Sequence, residues 1–325
     1  MQYHDPSRSQ TARRVQAPDY NFVQFHGQTS GSTLHRELTA MWAAIRADTG
    51  GRVAATVHAE NNAIAGGDPA ALRMLIDGEI QFYTLMGGII GTVVPVAEVQ
   101  QMPFAFKSTA QAHRAIDGPL GLHIGAEMAA KGMHLLPGGG FDNGMRQIAG
   151  SRAVAAPDDL AGVRIRVPPG ELIRDTFSAF GAEPVVIPAN QLYGALARGQ
   201  VSAQENPLAV IEGFRLYELV THVSMTNHIW SGFNLMAHLP TWSKLPDEIK
   251  AVIERNVVAF VRRQRLEQDA FNARLRTDLA QWGLVFNDVN QVPFRARLGG
   301  VYRAWRERLG GTCWALLEAE TGPLG

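Results

Sequence analysis

The stretch from Asp158 to Phe214 constrains the fold more than any other part of the chain. Val163-Arg164-Ile165-Arg166-Val167 alternates apolar and basic residues, the period-two pattern of a strand with its arginines on one face. Pro168 and Pro169 stop that strand, and Gly170 frees the chain to turn. Glu171 to Phe180 has helical spacing and ends at Gly181, where a left-handed backbone carries no Cβ penalty. Pro184 to Pro188 reads as a second strand, Leu192 to Arg198 as a second helix closed by Gly199, and Val201 to Asn206 as a third strand stopped by Pro207. Strands alternating with helices at this spacing predict βαβ units and a largely parallel sheet. Arg166 and Asn206 then fall at the C-terminal ends of strands, where open α/β sheets place their ligands.

At 325 residues the chain is too long for one ordinary core, and two domains are expected. Its 30 basic and 30 acidic residues cancel, which leaves no electrostatic footprint for nucleic acid or for an anionic membrane surface. No run of roughly 18 apolar residues offers a membrane span. Cys313 stands alone, so an intramolecular disulfide framework and a cysteine-based zinc site are both excluded. The ten histidines are scattered without ligand spacing, and no metal or cofactor is expected. Residues 1–18 are polar, carry Arg13-Arg14 and lack the apolar core of a secretory signal; they read as a disordered tail. Either the protein is not exported or its leader is missing from this chain.

Upstream of the central stretch, Asn21 to Phe25 reads as a strand and Leu34 to Ala47 as an amphipathic helix. The polar loop between them, from His26 to Thr33, can hold an anion through free N–H groups, which makes His26 a candidate contact. Its plainer use is as an N-cap loop, with Ser32 or Thr33 as the cap. Asp68 to Asp77 is a predicted helix with Asp68 as cap. Glu79 to Leu85 is a strand running into Gly87 and Gly88, which either admit a ligand to the backbone or simply permit a turn. Ser108 to Lys131 reads as helix. Gly138-Gly139-Gly140-Phe141-Asp142-Asn143-Gly144 lacks dinucleotide-fingerprint spacing and reads as a hinge between two units. Past the central stretch, Leu245 opens a helical tract to Trp282, long enough to brace two domains.

Taken together, these segments resemble the periplasmic solute-binding proteins of tripartite ATP-independent periplasmic (TRAP) transporters, the DctP-type family. The resemblance runs from about Phe22 to Trp314 and rests on joint order and spacing. Its motifs are Leu160 to Pro168, Leu192-Tyr193-Gly194-Ala195-Leu196, Gln204-Glu205-Asn206-Pro207 and Thr226-Asn227-His228, with Asp77 to Phe82 and Met102-Pro103-Phe104. The family implies an α/β, two-domain periplasmic-binding-protein-like (flytrap) fold with mixed sheets and a long domain-bridging helix. It also implies that Arg166 clamps a carboxylate, that Arg146 assists, and that Asn206 donates to the ligand. Guanidinium chemistry supports the arginines independently, since its planar fork suits a carboxylate bidentately. Two departures stand out. Val201-Ser202-Ala203 replaces a frequent Val-Asp-Gly, and Met86-Gly87-Gly88-Ile89 replaces charged residues found in sialate binders, so sialate is not carried over.

The expected architecture is domain I at 19–143 plus 232–271 and domain II at 144–231 plus 272–325. A monomer would capture a small organic carboxylate in the cleft without chemistry and deliver it in the periplasm to the TRAP membrane permease subunits. His228 and Trp230 either line that cleft or pack at the domain interface. The apolar segment around Met86 and Trp230 points to a partly apolar hydroxy acid or aromatic acid. An enzyme acting on an organic acid in the same cleft is the alternative, but no G-x-S-x-G, no H-E-x-x-H and no held nucleophile is present.

Overall fold

A computed structural model describes residues 17–61 and 63–324; all but the last two residues of the expected 1–18 tail lie outside them. In chain order the first elements are β1 (Tyr20–His26), α1 (Thr33–Asp48), β2 (Val53–His58), α2 (Gly67–Asp77), β3 (Phe82–Met86) and the short α3 (Gly87–Ile90). A 3-10 turn (Pro95–Gln101), α4 (Thr109–Asp117), α5 (Pro119–Ala129) and β4 (Met133–Phe141) follow. Next come β5 (Gln147–Gly150), β6 (Arg164–Val167), α6 (Glu171–Ala179), β7 (Glu183–Val186), α7 (Ala189–Ala197), β8 (Ala203–Asn206), α8 (Leu208–Gly213) and β9 (His222–Met225). The chain ends with β10 (Phe233–His238), α9 (Leu239–Ser243), α10 (Asp247–Gln281), β11 (Val285–Asp288), α11 (Val292–Ala296) and α12 (Gly299–Thr321).

Two sheets organise these elements into two lobes. The first is five-stranded, in the order β2-β1-β3-β10-β4, and the second six-stranded, β11-β9-β5-β8-β6-β7. The predicted βαβ run is present: β6 pairs parallel with β7 and with β8, placing Arg166 beside Val185 and Gln204. Each sheet also takes an antiparallel strand from chain that has just crossed over. β10 inserts between β3 and β4, and β5 between β8 and β9. Neither lobe is therefore a continuous piece of sequence.

Helix α10 spans both lobes. Its 35 residues reach about 52 Å at 1.5 Å per residue. Ile249, Ile253, Val257 and Val261 bury in a core that starts on the first sheet and runs on into β6 and α6, while Leu275 and Leu279 join a separate core of the second lobe.

Four expectations give way. Gly138, Gly139 and Gly140 are not a hinge but part of β4, which pairs with β10 at both ends and bulges between. Glycine suits such a bulge because no side chain has to be housed. The crossover begins after it, at Gly144 with φ 91°. The helix expected over 108–131 breaks at Gly118-Pro119 into α4 and α5, Gly118 being extended and Pro119 opening the second helix. Asp68 does not cap α2, whose N-cap is Gly66; its carboxylate turns inward instead. Finally, residues 272–325 do not all lie on the second lobe. In α12, Tyr302 donates to the Pro103 carbonyl and Arg114 pairs with Glu320 on the first lobe, while Trp305 donates to Asp175 and Arg308 pairs with Glu171 on the second.

Because Leu279 is fully buried in the second core, Leu279→Ala is expected to cost about 2–5 kcal/mol of stability. Urea unfolding monitored by circular dichroism measures it, and a loss below about 1 kcal/mol would show that α10 does not pack this lobe.

Candidate ligand-binding site

The C-terminal ends of β6 and β8 face the first lobe across a cleft. Arg166 lies one residue from the end of β6 and is 2% exposed. Its Nε donates to the Ile187 carbonyl at 2.7 Å, which fixes the guanidinium plane. Among the described residues nothing else bonds its two terminal amino groups, and these border the cleft with Asp68, Met86, Ile89 and Asn206. Burial pushes the Arg166 pKa down to about 10, against the nearby Glu205 charge and in concert with that of Arg146. It remains a cation at neutral pH, without a bonded counterion among the described residues and with its terminal amino groups open to the cleft.

Arg146 sits in the same wall but is committed elsewhere. Nε donates to Glu205 Oε2 at 2.5 Å and Nη2 to Oε1 at 2.7 Å, a bidentate buried pair. Further bonds go to the Glu205 carbonyl (2.7 Å), Asn206 Oδ1 (3.0 Å) and Ser231 Oγ (3.0 Å). Arg146 is thus not a free clamp like Arg166: Glu205 fills its Nε–Nη2 edge, and only one Nη1 N–H is left for the cleft it borders. What it does is aim Asn206, whose Nδ2 also bonds Gln204 Oε1 at 2.5 Å and keeps one N–H for the cleft.

Glu205 is fully buried. Burial raises its pKa, but the charge and hydrogen bonds of Arg146, with those of His228, outweigh it and hold the carboxyl below its ordinary range. His228 Nε2 lies 3.1 Å from Glu205 Oε2, and its Nδ1 lies 2.7 Å from Thr226 Oγ1. Burial lowers the His228 pKa, so the ring stays neutral, donating to Glu205 and accepting from Thr226. His228 therefore stands behind the wall rather than lining the cleft.

Four other expected contacts also fall away. Trp230 packs edge-on against Phe106 and His113 and donates Nε1 to Asp142 Oδ1 at 2.7 Å, so it belongs to the interlobe core. His26 is fully buried, with Nε2 2.9 Å from His35 Nδ1 while its Nδ1 accepts from the Gln28 N–H; burial and His35 lower its pKa to about 3. Its neighbours Gly27 and Gln28 border the cleft in its place. Gly87 and Gly88 serve packing rather than ligand approach: a Cβ on Gly87 would lie 2.5 Å from the Ala97 carbonyl oxygen, and one on Gly88 would run into Gln101.

Sequence reasoning missed Asp68. Its Oδ1 accepts from Tyr83 Oη and Asn61 Nδ2, both at 2.7 Å, and burial raises its pKa against those bonds and the Arg166 charge. An acid at the start of a helix looks like a cap in sequence. Only the inward turn after Gly66 and Gly67, both at positive φ, shows otherwise.

The inner chamber around Arg166 is narrow, about 40 Å³, and shares Gln28, Asn143, Phe214 and Phe233 with an outer chamber of about 290 Å³. The outer one is larger and more polar, yet the unpaired guanidinium lies in the inner one, which therefore holds the chemistry. The two lobes meet around them, at Gly67 against Pro188 and Asn190 and at Gly213 against Thr29.

Comparison with known proteins agrees with this geometry. The sequence profile of the bacterial extracellular solute-binding proteins, family 7 (DctP), matches residues 25–308. The chain belongs to that family. An uncharacterized protein, y4mM of Sinorhizobium fredii, is 32% identical over 70% of this chain and 41% of its own length. The 2,3-diketo-L-gulonate-binding periplasmic protein YiaO of Escherichia coli is 28% identical over 64% of each chain. This chain thus spans less than two thirds of either relative. Among solved structures, a TRAP periplasmic solute-binding protein from Roseobacter denitrificans with bound β-D-glucuronate superposes with a TM-score of 0.88, at 25% identity over 93% of this chain and 99% of that one. The family is one of binding proteins, not enzymes.

Replacing Arg146 by Met leaves a fully buried acid without its bidentate cationic partner, and a loss of about 3–5 kcal/mol is expected at neutral pH. Since the Glu205 carboxyl is held below its ordinary range, its contribution is present above the unfolded-state carboxylate pKa and is lost as pH falls through the depressed value. Stability measured against pH should therefore drop on the acid side in the wild type and less steeply in Glu205→Gln. Equal slopes would show that the pair carries no such linkage.

Proposed function

We propose that this chain captures a small organic acid between its lobes, with Arg166 as the carboxylate clamp, and presents it to the membrane subunits of a TRAP-type permease on the extracytoplasmic side. The unpaired edge of Arg166 carries this reading. A buried guanidinium without a partner costs several kcal/mol, roughly 3–5 where a single partner has been removed, and a bidentate carboxylate is the group that fits its fork. The free N–H of Asn206 supplies a second donor. Arg146 acts one step back, through Glu205 and Asn206. The glucuronate-bound relative and the 2,3-diketo-L-gulonate-binding one support an acid as ligand.

In this reading the lobes are 19–143 plus 232–271 and 144–231 plus 272–298, with α12 strapped across both. A monomer belongs to this reading, since a single copy of the chain supplies both walls of the cleft. Met86 and Ile89 make the inner chamber apolar on one side, while Asp68 and Thr84 add polar groups beside them. A hydroxy acid with one apolar flank matches that lining; without Trp230 in the wall, an aromatic acid loses its main support.

A thermal-shift screen of organic acids identifies the solute, because a ligand of the folded state alone raises the apparent stability. With the best hit, Arg166→Ala should weaken binding by at least about a hundredfold in calorimetry, and Arg166→Lys should recover only part of that loss. Wild-type affinity in Arg166→Ala would sink the clamp. Chemical turnover of the bound acid by the wild type would favour the enzyme alternative.

A further inference from the structure

Helix α6 follows the clamp strand directly. Arg166 and Val167 end β6, Pro168-Pro169-Gly170 make the turn, and Glu171 opens the helix. Gly170 occupies the N-cap position with φ 152° and has no side chain to offer, so the second lobe leaves the first N–H groups of α6 without a cap. The first lobe supplies one. Glu98, in the 3-10 turn Pro95–Gln101, accepts the Leu172 N–H at Oε2, 2.6 Å away, and also the Glu171 N–H. Glu98 is 1% exposed.

Glycines make room for this contact on both sides. A Cβ on Gly91 would run into the Glu98 side chain, and a Cβ on Gly170 would lie 3.2 Å from the Gly88 carbonyl oxygen and 3.6 Å from Glu98 Oε2. The negative end of an acid thus meets the positive end of a helix across the interlobe boundary, next to the clamp.

We infer that Glu98 is a positioning residue for solute capture, capping α6 from the opposite lobe and so latching the clamp strand in the closed arrangement. This rests on the cleft closure proposed above, but not on the identity of the solute. The latch is proton-sensitive. Burial pushes the Glu98 carboxyl up to about 7, against the pull of the Leu172 N–H and the Arg308 charge, while Glu171 adds to the rise. Those are the groups facing it from α6 and α12. Helix α3 has no ionisable side chain, and α5, also packed on this turn, carries His123 and Glu127. A protonated carboxyl still accepts the Leu172 N–H at its carbonyl oxygen. On this inference, opening draws α6 away from Glu98 and returns the carboxyl to water and to the ordinary carboxylate range. The closed form therefore binds the proton more tightly, so closure is favoured at low pH and loses this contribution as pH rises through about 7.

The distance between the lips reports closure without any solute. In the full chain, Arg73→Cys and Gln191→Cys place spin labels on exposed positions of α2 and α7, the elements that meet at Gly67 and Asn190, and the buried Cys313 stays unlabelled. Double electron–electron resonance at about pH 5.5 and about pH 8.5 should show the closed-to-open ratio falling on the order of tenfold as pH rises. Glu98→Gln keeps the shape and the acceptor but cannot ionise, and its ratio should be flat with pH. Glu98→Ala should be more open at both values. A wild-type ratio that ignores pH, or a Glu98→Gln response equal to the wild type's, overturns the latch. An acid screen without hits would count against the carboxylate clamp and leave this measurement standing.

Discussion

The structure depends on how buried charge is paired at one end of the second sheet. Two guanidinium groups lie within that end, both almost without solvent, and only one has a fixed counterion. The Arg146–Glu205 pair is bidentate, backed by His228 and Thr226 on one side and by Ser231 and Asn206 on the other. Such a network is stable only when every member is satisfied, and here nearly every polar atom has a partner. It forms a rigid frame against which Arg166, held by a single backbone carbonyl, can be left unpaired.

The frame also explains the interlaced topology. Arg146 precedes β5, Glu205 belongs to β8, and His228 and Ser231 lie on the crossover into β10. The ion pair thus pins one crossover segment to the sheet, and the Met145–Trp230 bridge joins the two crossovers to each other. Trp230 and Asp142 continue the link into the first lobe. The clamp wall is thus joined to the connections between the lobes by packed groups rather than by loose loops.

Much of this was legible in the sequence. The period-two pattern with proline stops located β6 and β8, and with them Arg166 and Asn206, because strand ends are set by local rules. The bridging helix was legible for the same reason. What stayed hidden was the fate of each side chain once the lobes meet. Arg146 and Arg166 look alike in sequence, and only the placement of Glu205 on the neighbouring strand decides which fork is filled. Glycines 138–140 suggested flexibility because nothing local shows that β10, almost a hundred residues on, pairs with the strand they belong to, at Gly140 and again from Leu135 back. His228 and Trp230 were left open between cleft and core, and their bonds to Glu205 and Asp142 place them in the core.

Arg166 is the unpaired cation; Glu205, an acid of its own wall, is taken by Arg146, and Asp68 is the acid that acts on it from the opposite lobe, with Tyr83 and Asn61 both donating to the same oxygen. If the structure wanted only to neutralise Arg166, a direct bond to Asp68 would do so; instead the two are kept apart and the acid's pKa is raised by burial. An anion arriving at Arg166 then meets a positive fork on one wall and, on the other, an acid whose charged form burial disfavours. Protonating that acid is easier here than in water, which lessens its repulsion of the anion. Preorganisation in this cleft therefore lies as much in keeping an acid weak as in keeping an arginine free.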